Sequence, residues 1–154
     1  MAEEKKTEEK NFHKKFAVDS FNLVWTLMEN KNRTIEENDK MIHAAHASRF
    51  QWGEIGTPVE FERGEWQISR MYTVLNRPEP ALYHAKRCLD ICKQNNIGDW
   101  EIAFAYEAMA RAYATAGNKT ECEKYIKLAK EAGELIKEKG DKDYLFNELK
   151  TIAC

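Results

Sequence analysis

The chain has 154 residues, of which 43% are hydrophobic and 32% charged, and its 24 basic and 26 acidic side chains leave a formal net charge of −2. This length and composition are typical of one globular domain with a core of its own, and they exclude an intrinsically disordered chain. The near-neutral charge favours neither nucleic acid nor an anionic membrane as a partner. No apolar run has the length of a membrane span, and the first residues lack the apolar segment of a signal peptide.

An all-α fold of about seven helices is predicted. Only three prolines and seven glycines interrupt the chain, and no alternating β-branched run of strand type occurs. Residues 1–10 carry mixed charge without an apolar anchor and are predicted to be a disordered tail, which leaves 11–154 as a single domain. The first helix, from Asn11 to about Glu29, is apolar on two faces and needs cover on more than one side. Its own domain or a second copy in a homodimer would supply that cover.

Capping signals place the helices that follow. Thr34 with Glu37 three residues later, and Thr57 with Pro58 and Glu60, are typical helix starts. In chain order these helices are predicted to cover about 34–52, 57–75, 78–93, 99–117, 118–139 and 142–151. The last one is short and is predicted to close the open end of the core.

Two of the predicted helix pairs repeat each other at a constant offset of 41 residues. In each pair the first helix carries a large apolar, a small and an aromatic residue, a turn residue follows, and the second helix carries three core residues. The matching positions are Ile68 and Met109, Ser69 and Ala110, Tyr72 and Tyr113, Asn76 and Gly117, Ala81 and Cys122, Ala85 and Ile126, and Cys88 and Ala129.

This pattern resembles the tetratricopeptide repeat over Phe61–Leu89 and Trp100–Ile136, with repeat-like units at about 57–95 and 99–139. The resemblance implies a short right-handed superhelix of antiparallel helix pairs, with a degenerate first pair at 11–53 and a capping helix at 142–151. It departs from the family in its longer period and in Cys122, where a small Ala is usual. A similar run also occurs in bacterial proteins of unknown function and implies no activity.

In such a superhelix the first helix of each pair lines a concave groove, and here those positions carry aromatic and basic side chains. Residues of this kind dominate binding hot spots, and paired guanidiniums suit a carboxylate or another anion. The sequence therefore predicts a non-catalytic module that binds a protein or peptide, preferably an acidic one. The alternative is that these arginines pair with nearby glutamates. The chaperone-binding clamp of the resembled family is absent. The candidate site residues are Arg63, Trp66, Arg70, Phe104, Glu107 and Arg111.

A second hypothesis places a small-ligand or metal-binding sensor or enzyme at His43, His46, Arg49 and Glu65. The two histidines lie on one face of a helix, where Glu62 or Glu65 from the next helix would complete a metal site. Zinc helices more often space their histidines four apart, and histidines that are hydrogen-bonded within the packing are the simpler interpretation. No nucleophile motif or glycine-rich phosphate loop is present, so neither catalysis nor a cofactor is expected.

The four cysteines have neither disulfide-framework nor CxxC spacing, which predicts reduced thiols and a cytoplasmic protein. Cys88 and Cys92 continue the apolar face of their helix and are interpreted as core residues rather than as a metal or redox pair. Tyr72 and Tyr113 are likewise predicted to lie in the core, whereas His84 is expected to face solvent.

Overall fold

The computed structural model of this protein describes residues 1–154 and contains seven α-helices without a strand, which confirms the all-α prediction. The helices are α1 (Ala2–Glu29), α2 (Ile35–Ile55), α3 (Pro58–Val74), α4 (Pro78–Gln94), α5 (Asp99–Thr115), α6 (Lys119–Glu134) and α7 (Lys139–Leu149). None of them is both long enough and apolar enough to cross a membrane.

The predicted disordered tail is instead the beginning of α1, which is helical from Ala2 onwards. Residues 2–10 are almost all Ala, Glu and Lys, which are strong helix formers. Glu3 and Glu4 also lie in the first turn, where a negative charge favours the helix dipole. The side chains of 1–10 are nevertheless exposed throughout, so this segment is held by helix propensity and not by packing.

The predicted capping boxes are present. The Thr34 and Glu37 side chains each accept a hydrogen bond from the other's backbone N–H, at 3.1 and 2.8 Å. The backbone N–H of Thr57 donates to the Glu60 carboxylate at 2.9 Å, and Pro58 occupies the first turn of α3. These local interactions explain why α2 and α3 begin where the sequence places them.

The predicted sixth helix is too long, because α6 ends at Glu134 and α7 begins at Lys139. The intervening chain turns so that Ile136 is buried, and the backbone N–H of Lys137 donates to the Asp99 carboxylate at 3.1 Å. A tertiary contact from the start of α5 therefore supports this break.

Consecutive helices pack as the pairs α1/α2, α3/α4 and α5/α6, and neighbouring pairs meet through α2 with α3 and α4 with α5. Helix α3 also packs against α1 and α5, whereas the backbones of α2, α4 and α6 do not approach one another closely. Helices α1, α3 and α5 therefore form one layer, which we call the inner face. Helix α7 packs on α5 and α6 at the end of this layer.

The main core is formed by residues of the first five helices and includes Cys88 and Cys92, both fully buried, as predicted. A second, smaller core joins α5, α6 and α7. Gly133 permits the close approach of α6 and α7, since a Cβ at this position would lie 2.6 Å from Leu145 Cδ2. Tyr72 is buried as expected, but Tyr113 is only half-buried and stacks on Tyr125.

One face of α1 remains uncovered, with Phe12 and Phe16 more than half exposed. The rest of the two-faced helix packs against α2 and α3. The apolar pattern of this helix is therefore explained in part by the domain itself.

The prediction of four reduced thiols is wrong for two of them, because Cys122 and Cys154 form a disulfide. Helix α7 turns back along α6 and brings the Cα atoms of these residues to 5.8 Å, although they are 32 residues apart in sequence. Spacing along the chain does not reveal such a contact. The cytoplasmic location inferred from reduced thiols loses that support.

Candidate functional site

A pocket of about 280 Å³ opens on the inner face between α1, α3, α5 and α7. Six of its ten lining residues are aromatic, and the other four are three acids and one arginine. We call it the aromatic pocket. It is lined by Phe21, Trp25, Trp66, Trp100, Phe104 and Tyr144, together with Glu62, Arg63, Glu101 and Asp141.

Helical spacing brings these residues to one place. Phe21 and Trp25 are four apart on α1, Glu62 and Trp66 on α3, and Trp100 and Phe104 on α5, while Asp141 and Tyr144 are three apart on α7. Residues three or four apart share a helix face. Each of the four helices therefore contributes one such pair, and Arg63 of α3 and Glu101 of α5 complete the lining.

The aromatic rings support one another. Trp66 lies against Trp25, with 5.7 Å between the ring centres, and meets Phe104 edge to face, with 6.1 Å between the ring centres. The ring centre of Phe104 in turn lies 6.2 Å from that of Trp100 and 5.5 Å from that of Tyr144. Such contacts between rings are favourable beyond simple burial. They hold the walls of the pocket in place without a ligand.

Arg63 lies at the edge of the pocket and is already paired. Its Nη2 donates to Glu101 Oε1 at 2.6 Å, and its Nε donates to Glu101 Oε2 at 3.3 Å. The guanidinium also lies over the Trp100 ring, 5.0 Å from the ring centre. Of the charged residues that line the pocket, Glu101 is therefore neutralised by Arg63, and Glu62 and Asp141 remain.

The other charged candidates form an ion-pair network beside the pocket. Buried Glu107 is 3.3 Å from Arg70 and 2.7 Å from Arg111, and Glu148 of α7 is 3.0 and 3.5 Å from the same two guanidiniums. The Trp66 indole N–H also donates to Glu107 at 3.3 Å. This network holds α7 against α3 and α5.

The structure thus divides the six predicted site residues into two groups. Arg63, Trp66 and Phe104 line the aromatic pocket. Arg70, Glu107 and Arg111 belong to the network, as the alternative of pairing with nearby glutamates predicts. The partner that completes it, Glu148, comes from α7, which the sequence places only as a closing helix.

Glu62 also lines the pocket, although the sequence suggested it only as a partner of the arginines or as a metal ligand beside the histidines. Its side chain is 3% exposed, and its Oε2 accepts hydrogen bonds from the Cys88 and Cys92 thiols at 3.4 and 3.6 Å. Its Oε1 has no hydrogen-bond partner, and the nearest Arg63 nitrogen is 3.9 Å away. Burial raises the pKa of Glu62 to about 7, although the two thiols and Arg63 oppose the rise. The sequence does place Glu62 one helical turn before Trp66, and therefore on the same inward face of α3.

Glu62 is expected to make folding less favourable as pH rises. Between pH 4.5, the ordinary pKa, and about 7, the unfolded chain has released this proton while the folded chain keeps it. The contribution of Glu62 to the free energy of unfolding should therefore fall by about 3 kcal/mol across this window and then level off. Glu62→Gln should be more stable than the unmodified protein at pH 8, with a smaller difference at pH 5. Urea denaturation of both proteins at several pH values measures this difference, with a chelator present to remove any bound metal ion. The same pH dependence of stability in both proteins would contradict the prediction.

The residues of the sensor hypothesis are only partly brought together. Arg49 Nε donates to Glu65 at 3.2 Å, but His43 is exposed and His46 hydrogen-bonds the Tyr72 hydroxyl at 2.8 Å. The donor atoms of His43, His46 and Glu65 do not form a group that a metal could share. The metal site proposed for these residues from the sequence is therefore not assembled.

His84 takes the place that the hypothesis gave to His43. It was expected to face solvent, yet its side chain is 15% exposed and its Nδ1 lies 2.5 Å from Glu65 Oε2. Burial opposes ionisation of Glu65, but His84 and Arg49 outweigh it, so the pKa of Glu65 lies below its ordinary value. Burial lowers the pKa of His46, and the neighbouring His84 adds to the effect. His46 is therefore hydrogen-bonded to Tyr72, and Arg49 and His84 are hydrogen-bonded to Glu65.

The aromatic pocket is therefore the strongest candidate site, since it combines open volume, aromatic rings that support one another, and the carboxyl groups of Glu62 and Asp141, which form no ion pair shorter than 3.9 Å. No family model, curated protein or solved structure matches this chain.

Proposed function

We propose that this protein is a non-catalytic binding module whose inner face receives a segment of a protein or peptide. One side chain of that segment would enter the aromatic pocket. The observation that carries the proposal is the set of six aromatic side chains around one open volume on this face. Aromatic anchors dominate the energetics of binding surfaces because they bury a large area with little loss of side-chain freedom.

The arrangement of helix pairs supports a tetratricopeptide-like superhelix as the scaffold of this module. The two similar units of the sequence correspond to α3/α4 and α5/α6, and their first helices pack side by side. Trp66 and Glu107 hold equivalent positions in the two units, 41 residues apart, and are hydrogen-bonded. In the proposed superhelix these equivalent positions line the concave surface.

The preferred partner is basic rather than acidic. The expectation of an acidic partner depended on Arg70 and Arg111, whose guanidiniums are engaged by Glu107 and Glu148. Inside the pocket, Arg63 pairs with Glu101, burial leaves Glu62 only partly ionised near pH 7, and Asp141 supplies a further carboxylate, while the indole rings offer π faces that attract cations. A Lys or Arg side chain of the partner would place its apolar stem between the rings and its charge near Asp141.

A displayed library of random peptides tests this function. Peptides retained by the protein are expected to share one basic position, and replacing Trp66 and Trp100 by Ala should weaken them by about tenfold or more. Phe50→Ala is the matched control, because this aromatic residue is exposed on α2, away from the pocket. Peptides that bind the pocket variant equally well would contradict the proposal.

The charge preference is tested separately. Asp141→Asn should weaken a selected basic peptide by about fivefold, which corresponds to roughly 1 kcal/mol. Asp143→Asn, two residues further along α7 and exposed, should leave the affinity unchanged. Equal effects of the two substitutions would remove Asp141 from the site.

A further inference from the structure

We propose that Cys88, Cys92 and Glu62 form a binding site for a thiophilic divalent cation, and that zinc is the ion it fits best. The site lies between α3 and α4, behind the wall of the aromatic pocket. It shares Glu62 with that pocket but does not depend on the proposed peptide binding, since neither thiol lines the pocket. It also differs from the histidine site considered from the sequence.

The three side chains converge on one point. Cys88 and Cys92 are one turn apart on α4 and completely buried, and Glu62 faces them from α3. One ligand atom from each residue lies within 4.8 Å of the others. This is the only group of three potential ligands in the chain that comes so close.

The spacing of the donor atoms suits tetrahedral zinc. Glu62 Oε2 is 3.4 Å from Cys88 Sγ and 3.6 Å from Cys92 Sγ. With zinc bonds of about 2.3 Å to sulfur and about 2.0 Å to oxygen, a tetrahedral angle separates such donors by about 3.5 Å. The ligands would therefore need little rearrangement to enclose the ion.

The unpartnered Glu62 Oε1 is a second, independent observation. It is the one buried side-chain oxygen or nitrogen of the chain without a hydrogen-bond partner. An orphaned buried polar atom is costly and needs an explanation, of which an ion is one. A cation held by this carboxylate would compensate that oxygen, either directly or through a water molecule in the fourth coordination position.

The donor set selects the class of ion. Thiolates favour zinc, copper(I) and iron over magnesium and calcium, while a carboxylate oxygen is a poor ligand for copper(I). On binding, each thiol loses its proton to solvent, as does any neutral Glu62 carboxyl. Two thiolates and one carboxylate then carry three negative charges around a divalent ion. Glu62 lines the aromatic pocket, which offers the ion a path to the site.

Cobalt(II), a spectroscopic substitute for zinc, provides the test. Metal-free protein with its free thiols reduced is titrated anaerobically. We expect one equivalent of cobalt to produce thiolate-to-cobalt charge transfer and tetrahedral ligand-field bands, and zinc to displace it. Absence of the charge-transfer band in the folded protein would overturn the proposal.

Variants assign the signal to these residues. Cys88→Ala with Cys92→Ala should abolish the charge-transfer band and lower zinc affinity at least about a hundredfold, since loss of outer-shell partners alone costs up to that much. Cys122→Ser with Cys154→Ser is the matched control and should retain the full signal. A band that survives in the folded alanine variant would contradict the proposal.

Two further measurements separate this site from its surroundings. Glu62→Gln keeps both thiols and should lower zinc affinity by about tenfold or more, and an unchanged affinity would contradict a role for Glu62. If the double alanine variant fails to fold, Cys88→Ala and Cys92→Ala are titrated singly, and each must lose charge-transfer intensity. The folded thiol variants should still bind the selected peptides, so failure of either proposal is recognised independently.

Discussion

Replacing Glu107 by Gln is expected to lower the free energy of unfolding by about 3 kcal/mol. Glu107 is 1% exposed and pairs with Arg70 and Arg111, neither of which is fully buried. Removing its charge leaves two largely buried guanidiniums with Glu148 alone. This loss of about 3 kcal/mol lies at the low end of the range for breaking a buried ion pair. Both arginines keep Glu148 as a partner and some contact with water, which limits the loss. Glutamine has nearly the same shape, so a cavity contributes little.

The measurement is urea denaturation followed by circular dichroism. For a chain of this length the same loss lowers Tm by roughly 6–12 °C. Glu123→Gln is the matched control, because Glu123 forms an exposed pair with Lys119 at 3.8 Å. Exposed pairs contribute little, so this control should change stability by less than about 0.5 kcal/mol. Similar effects of the two substitutions would show that the network does not stabilise the fold.

Reduction of the Cys122–Cys154 disulfide is expected to lower the free energy of unfolding by about 3–4 kcal/mol. The two cysteines are 32 residues apart, and closing a loop of this size removes that much chain entropy from the unfolded state. Helix α7 should lose most protection, since the bond joins the chain that follows it to α6. Denaturation with and without reductant gives the total effect, and hydrogen exchange of α7 against α3 locates it.

Cys122→Ser with Cys154→Ser should reproduce the reduced protein and should not respond to reductant. This insensitivity excludes an effect of the reductant on Cys88 and Cys92, the two free cysteines. If reductant left the unmodified protein as stable as before, the bond would not restrict the unfolded chain.

Both the ion-pair network and the disulfide attach α7, which also contributes to the aromatic pocket. Tyr144 forms one wall and Asp141 lies at its edge. The network holds the helix itself, where Glu148 reaches Arg70 and Arg111, and the disulfide holds the chain that follows it, where Cys154 is bonded to Cys122 of α6. Loss of either interaction should therefore weaken peptide binding as well as stability.

The sequence by itself determined the helices and part of the site. Thr34 with Glu37 and Thr57 with Glu60 set two helix starts through bonds within four residues. Arg63 and Trp66 were placed on one inward face by helical spacing, and Phe104 was found through the repeat. Each of these inferences depends on interactions within a helix or on the similarity of two units, and both can be recognised along the chain.

Only the tertiary structure decided which side chains meet. Arg70 and Arg111 bind Glu148, Glu62 lies between two thiols of α4, and Cys122 joins Cys154. Each partner is a full helix or more away, and its position depends on how helices pack, turn and approach. Hydrophobic periodicity identifies the face that is buried but not the atom that lies opposite, because many packings bury the same face. The helices were therefore accessible from the sequence, whereas the ion pairs, the disulfide and the buried carboxylate required the assembled fold.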